Sequence, residues 1–402
     1  MSLRDLVKTG NIIRNTWTGN SKEGIPLYLG SGKSGACFDE YGLMHGTYKS
    51  NGDWDTINNV FMHADNSHRG AYGLDYWLPL LQLCFENEFH ETPIEYLQQL
   101  QIFEGKLTTK MKFKYWNLEI CSYFNPYKGD ILSVEIKYDS KSEKMPNLIL
   151  KPQLDINACY DQKISGKVEY LLSAETQNNI LRIKAGTADS IVVLKTLSSV
   201  GDINTYVENN NLKICFHGAK GNHLILIGAA GFHRKDELLK EISEIIDPIL
   251  HKAEAEMAWC KRWGTSYIKI PDATYQSLWY RSVYYILSSY GTEGSSPSAP
   301  MGWSGNSWEF HFPQDVSYIH PVLLRLGHYD IASSIVEFYK KHIEDMKKLT
   351  KRIYGVEGTY WHGNFLIKRI TNYFRMAFQT IVLLNYIMQH TLQKWLLKLQ
   401  GI

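Results

Sequence analysis

The feature that most constrains this chain is a single change of periodicity near Gly231. Before it, from about Ile25, the residues fall into short β-prone runs separated by turn formers: NLEICSYF, ILSVEIKYD, SIVVLKTL, NLKICFHG and HLILIGAAG. Such runs, bounded by turn residues, are the signature of antiparallel sheets. After it, DELLKEISEIIDPILHKAEAEMAWCKRWG repeats apolar residues at steps of three and four with charges between them, the period of an amphipathic helix. No βαβ alternation occurs, which argues against a parallel nucleotide-binding sheet. The expectation is a multidomain α+β protein, with residues 1–234 as a β-sandwich domain, 235–271 as a helical linker and 272–402 as a helical domain.

Within the first part, Lys114 to Phe124 is expected to form a strand packed on two sides, through Tyr115, Leu118, Ile120 and Ser122 or their neighbours. The segment IPLYLGSGKSGACFDEYG reads as two strands joined by a flexible turn. Its GSGKSG resembles a phosphate-binding loop, but the full pattern needs a glycine five residues before Gly32, where Leu27 stands. In the second part, Asp247 and Pro248 either begin a new helix or kink the first. Thr265 to Ile270 is β-prone, and Asp272 is placed to cap the helix that follows. Further helices are expected from Asp315 to Leu326, Tyr329 to Arg352 and about Thr371 to Leu399, with Gly327, Gly355 and Gly358 marking the stops.

Composition narrows the function classes. Of 402 residues, 44% are hydrophobic and 21% charged, as in ordinary globular proteins, and the formal charge of +2 gives no field that favours nucleic acid or an anionic membrane. The six cysteines, Cys37, Cys84, Cys121, Cys159, Cys215 and Cys260, form no CxxC pair, so neither a zinc knuckle nor a redox dithiol is expected. The first twenty residues hold no apolar core of signal-peptide length, and no run approaches the roughly 18 apolar residues of a membrane span. A cytoplasmic protein with reduced thiols is the expectation. In MHADNSHR the histidines, His63 and His68, are five apart rather than four, which favours a hydrogen-bonding loop over a metal site with Asp65. There is no GxSxG elbow, and no metal or cofactor is expected.

Aromatic residues make up 13% of the chain, with 26 Tyr and 11 Trp. At near-neutral charge, that content points to a large aromatic core or to stacking surfaces for sugars rather than bases. The richest stretch is PMGWSGNSWEFHFPQDVSYIHP, which sets Trp303, Asn306, Trp308, Glu309, His311 and Asp315 in a turn-rich entry to a helix. A pyranose offers apolar C–H faces to indole rings and hydroxyls that need paired donors and acceptors, and this segment interleaves those residue types. Each residue also has a plainer reading: tryptophans as core, Glu309 or Asp315 as a surface acid or cap, His311 as a satisfied core histidine. Trp361, beside His362, is either another stacking plate or core.

The succession of AEMAWCKRWGTSYIKIPD, DATYQSLWYRSVYYIL and GWSGNSWEFHFPQDVSYIHP after a β-rich half resembles the glycoside hydrolases that join a β-supersandwich to an (α/α)6 barrel. Maltose phosphorylases and α-L-fucosidases of that architecture are similar to it, and the likeness spans nearly the whole chain. It implies an N-terminal antiparallel β-supersandwich, linker helices and a partial (α/α)6 toroid of helical hairpins. It also implies cleavage of glycosidic bonds in the barrel mouth with inversion, by hydrolysis or by phosphorolysis. Inverting hydrolysis takes two carboxyl groups about 6.5–9.5 Å apart. Carried over, Gln314-Asp315 is similar to the pair that binds sugar at the start of a barrel helix, making Asp315 a hydroxyl ligand. Trp308-Glu309 departs from the family's Trp-Asp pair by lying six residues before Asp315. Glu309 and Glu357, the latter in GVEGTYWHGN, are the candidate acids. Trp303, Asn306, Trp308, His311 and Trp361 are the candidate sugar contacts. Twelve helices close such a barrel, whereas Asp272 to Ile402 has room for about four or five. The expectation is a truncated barrel, active if completed, or else a catalytically inactive carbohydrate-binding or assembly module. A homo-oligomer would then cover the exposed barrel helices.

Overall fold

The computed structural model describes residues 2–18, 26–45, 62–65, 77–87, 91–141, 145–152, 172–185, 188–293 and 313–361, and not the side chains of 63–65, 77–79, 172–174, 185, 188 and 313–315. The β-prone runs form strands β1 (Ile12–Arg14), β2 (Leu27–Gly30), β3 (Ser34–Phe38), β4 (Met62–Asp65), β5 (Trp77–Phe85), β6 (Glu95–Gln101) and β7 (Lys106–Lys112). There follow β8 (Trp116–Phe124), β9 (Ile131–Ser140), β10 (Leu148–Pro152), β11 (Leu172–Gln177), β12 (Ile180–Ala185), β13 (Ala188–Glu208) and β14 (Asn211–Gly231). They make one antiparallel hydrogen-bonded sheet in the order β1-β6-β7-β8-β9-β14-β10-β5-β4-β3-β2, with β13, β12 and β11 branching from β14.

The branching comes from length. The expected strands NLKICFHG and HLILIGAAG are one 21-residue strand, β14. Its first half pairs with β10, Ile214 opposite Leu148, and its second half with β9, Leu226 opposite Ser133. Register shifts between Ser198 and Asp202 of β13, with Gly201 at φ 75°, bend the β13–β14 hairpin where the partner changes. One strand thus serves two layers, and the sheet folds so that β2 and β3 lie against β7, β8 and β9. Strand β8 is packed on both sides, with Leu118, Ile120, Cys121, Ser122, Tyr123 and Phe124 all buried. Tyr115 does not join them: it precedes the strand and is 43% exposed, because Trp116 takes the inward position and stacks on Phe113 at 4.5 Å.

Six helices are described. The first, α1 (Leu3–Lys8), is a short helix that strand periodicity did not announce. It is held by a capping box in which Ser2 Oγ accepts from Asp5 N and the Asp5 carboxylate accepts from Ser2 N. The linker holds two helices, α2 (Lys235–Glu244) and α3 (Pro248–Trp263). Asp247 begins the second by accepting from Ile249 N and Leu250 N, with Pro248 in the opening turn where its missing N–H costs nothing. Asp272 caps α4 (Ala273–Ser289) in the same way, through Thr274 N and Tyr275 N. Then come α5 (Pro313–Arg325) and α6 (Tyr329–Tyr354), joined at Gly327. Gly355, at φ 69°, ends α6 in the left-handed conformation. The helix expected from Thr371 to Leu399 lies outside the described residues.

Thr265 to Ile270 is not a strand. Side chains of α4 replace the missing partner strand: Tyr280 Oη bonds both Ile268 N and Ile268 O, and Gln276 Oε1 accepts from Ile270 N. The β2–β3 turn is not loose either. Gly32 N donates to Ser288 O at 2.9 Å, and Ser31 Oγ donates to Gly129 O at 2.5 Å. No described helix is long and apolar enough to cross a membrane. The five cysteines among the described residues are all free thiols.

Candidate functional site

The seam between sandwich and helices positions everything that follows it. On α3, Trp259, Arg262 and Trp263 fall at steps of three and four and share one buried face. They join Leu29, Ile102 and Phe124 of the sandwich and Tyr280 and Tyr284 of α4, so one core runs through both parts. Trp259 Nε1 donates to Phe124 O and Trp263 Nε1 to Ile102 O. Gly105, at φ 63°, lies so close to Trp259 that a Cβ there would sit 2.0 Å from Nε1. Arg262 is 2% exposed, and its guanidinium donates to Leu287 O at 2.5 Å and Pro126 O at 3.1 Å. Burial pushes its pKa down to about 10 against the opposing pull of Tyr127 and Asp330, which leaves it a cation at neutral pH.

Asp330 connects this seam to a cleft. It stands in the first turn of α6, beside buried His328, and with Glu293, Ser333, Ser334, Glu337 and Lys341 it lines an open cavity of about 480 Å³. Burial, with the Arg262 charge, depresses His328, while Asp330 opposes that shift. The imidazole is therefore neutral at pH 7. Glu293 lies four residues beyond the end of α4 and adopts φ 60°, a left-handed conformation that a non-glycine residue holds only at some cost in energy. Lys33 of the β2–β3 turn reaches Glu293 at 3.5 Å. The cleft thus presents carboxylates, hydroxyls and one ammonium, a donor and acceptor set suited to a polyol.

Trp303, Asn306, Trp308, Glu309 and His311 lie outside the described residues, between Glu293 and α5. Asp315 lies in the first turn of α5 as expected, although its side chain is not described. Helices α5 and α6 meet in a short turn. Trp361 folds back onto Tyr339 edge to face, ring centres 5.0 Å apart, and packs beside Met346 and Leu349. Trp361 thus lies against the stretch of α6 that follows Glu337 of the cleft. Glu357 is placed elsewhere: its carboxylate is 81% exposed and bound to Lys351 at 2.6 Å. Lys351 is fourteen residues beyond Glu337 on α6, about 20 Å by helix rise.

Glu293, Asp330 and Glu337 were not singled out in the sequence. Asp330 and Glu337 read as ordinary helix-surface acids, and only the TEG turn at Glu293, opening onto the aromatic segment, carried a local signal. Among the described residues, no group of three or more His, Cys, Asp or Glu is arranged to hold a metal.

No protein-family model matches the chain, and no curated protein is significantly similar to it. Solved structures are. A protein assigned as a kojibiose phosphorylase, from the human microbiome, superposes with a TM-score of 0.65 at 12% identity, over 89% of this chain and 52% of its own. A bacterial glucoamylase complexed with acarbose (TM-score 0.39, 12% identity, 87% of this chain and 55% of its own) and an inverting family GH92 mannosidase from Bacteroides thetaiotaomicron (0.41, 10%, 84% and 48%) are more distant. The chain spans about half the length of these proteins. In fold, then, this is an antiparallel β-sandwich joined through linking helices to further helices, an arrangement similar to that of the protein assigned as a kojibiose phosphorylase.

Proposed function

We propose that the chain is a carbohydrate-active protein of the glycoside hydrolase and phosphorylase class, holding a saccharide with side chains of residues 303–315 and of the cleft of Glu293, Asp330 and Glu337. The observation that carries this reading is the fold likeness to a protein assigned as a kojibiose phosphorylase, at a TM-score of 0.65 over 89% of the chain. In this reading Trp303, Trp308 and Trp361 stack on sugar faces, and Asn306, His311 and Asp315 bind hydroxyls. Glu309 protonates the leaving oxygen while water, giving its proton to a second carboxylate, or phosphate attacks from the opposite face with inversion. Glu357 is the remaining candidate acid. The division into a sandwich (1–234), a linker (235–271) and a helical domain (272–402), a cytoplasmic location and a homo-oligomer covering the outer helices complete the proposal.

The second reading is a module that binds carbohydrate without turning it over. One experiment separates the two. The 402-residue protein is incubated with a panel of α-linked disaccharides, with and without phosphate, and released sugar and sugar phosphate are measured. The enzyme reading expects release from at least one substrate, abolished by Glu309→Gln, with phosphate dependence separating phosphorolysis from hydrolysis. Saturable binding without release supports the module, and neither binding nor release ends both readings.

A further inference from the structure

Helix α3 is apolar on two opposite sides. One side, with Trp259, Arg262 and Trp263, is sealed into the core that sandwich and helices share. On the other, Ile249, Ala253 and Met257 recur at steps of four, with Leu250 beside them and Ile246 just before the helix. All five are exposed, the four large ones by 58% to 82%. A helix lying on a core normally turns polar residues to water, and a continuous apolar stripe there marks a contact surface. The charged residues beside the stripe narrow what it fits. Lys252 pairs with Glu135, Glu254 with Lys128 and Glu256 with Lys106, all within the chain. Glu244 has Lys240 one turn earlier on α2, and Lys195 donates to the nearby carbonyl oxygens of Ile242, Ser243 and Ile245. Near the other end, beside Cys260, Arg4 and Lys8 meet Glu104. Asp247 and Lys261, at the two ends of α3, are left without an ion pair among the described residues: Asp247 caps the helix, and Lys261 lies over the Tyr127 ring at 5.4 Å.

We propose that the outer face of α3 is a two-fold contact between two copies of this chain, with the two helices antiparallel and Ala253 on the axis. That symmetry makes the stripe its own complement. Ile249 of one copy meets Met257 of the other, and Met257 meets Ile249, while the small Ala253 at the centre lets the helices approach closely. The same symmetry brings Asp247 of one copy within about 3 Å, along the helix axis, of the level of Lys261 on the other, so the two groups left unpaired are matched twice. A parallel pairing would instead set Asp247 against Asp247 and Lys261 against Lys261. A lipid surface is a poorer occupant, because membrane-lying helices flank their apolar side with free cations, and here Lys252 is already paired. One helix of 16 residues from each copy is a small contact, so the dimer is expected to dissociate on the order of 10 µM. This surface lies on the linker, apart from the outer helices of residues 272–402, and rests on nothing in the saccharide reading.

The test is sedimentation velocity of the whole chain at neutral pH over a concentration series from about 1 to about 300 µM, which spans the expected midpoint. The proposal expects a reversible rise from the mass of one chain to that of two. Ala253→Glu, which sets two carboxylates face to face on the axis, should weaken the dimer by about tenfold or more, and Lys261→Glu by a smaller factor. Both positions are exposed, so each variant should melt like the parent at low concentration. If Ala253→Glu does not fold, Met257→Lys takes its place. Register is read by cross-linking: Ala253→Cys, with Cys260→Ser to remove the neighbouring thiol, should form a disulfide between two copies under mild oxidation, whereas Tyr275→Cys on α4 should not. A single-chain mass across the whole series overturns the proposal and leaves the stripe to a different partner. A dimer that Ala253→Glu and Met257→Lys leave intact, or one cross-linked by Tyr275→Cys and not by Ala253→Cys, overturns it in favour of contact through the outer helices.

Discussion

Arg262 joins the sandwich to the helices through two carbonyl oxygens, and its removal leaves both without a donor. Arg262→Ala is expected to lower stability by about 3–5 kcal/mol, the range for breaking a buried charged contact, as read from urea denaturation midpoints. A loss under about 1 kcal/mol would contradict the clamp. Glu357→Gln should change stability by less than about 0.5 kcal/mol, since its pair with Lys351 is exposed. The sequence showed AWCKRWG as helical but could not show that Arg262 faces inward, because its partners lie 25 and 136 residues away. His251 carries a pH prediction. Its folded pKa, about 4, lies below the ordinary 6.5, so its stabilising contribution is full above about pH 6.5 and is lost as pH falls towards 4. The loss should approach about 2 kcal/mol once solvent screening is allowed for, and His251→Gln should flatten that part of the stability profile. An unchanged profile in the variant would remove histidine burial as the cause.

At the scale of elements, local chemistry was the readable part. Asp247 and Asp272 cap helices, and Gly327 and Gly355 mark stops, because each of these acts on backbone groups within a few residues of itself. The strands of the first half were likewise legible from their runs. What failed was non-local: Thr265 to Ile270 has strand propensity but no strand beside it, and side chains of α4 take up its backbone groups instead. The turn at Gly32, expected to be flexible, is held by α4 for the same reason. Gly105 tests how tightly the elements meet. Its positive φ and its contact with Trp259 leave no room for a methyl group. Gly105→Ala should cost about 2–4 kcal/mol, combining overpacking with backbone strain, and should shift the tryptophan fluorescence of the folded state. A change within 0.5 kcal/mol would mean that Trp259 is free to move aside.

Across the whole molecule, sandwich and helices share one core rather than meeting at a wet interface. Residues 1–234 alone would expose the patch that Trp259, Trp263, Tyr280 and Tyr284 cover. That segment is therefore expected to bind a hydrophobic dye and lack a cooperative melt, whereas the full chain should lose sheet and helix signals together. A sharp independent melt of the segment would divide the core at residue 234. The aromatic and acidic segment before α5 stood out by composition, whereas the cleft acids come from two places, Glu293 beyond α4 and Asp330 with Glu337 on α6, which only folding brings together. The most direct test of the central claim is a titration of the 402-residue protein with α-linked disaccharides, followed by intrinsic tryptophan fluorescence and calorimetry. Saturable binding of at least one disaccharide is predicted, weakened tenfold or more by Trp308→Ala and by Asp315→Asn in proteins that melt like the parent. No saturable binding, or binding that both substitutions leave intact, would contradict a saccharide site at the mouth of the helices.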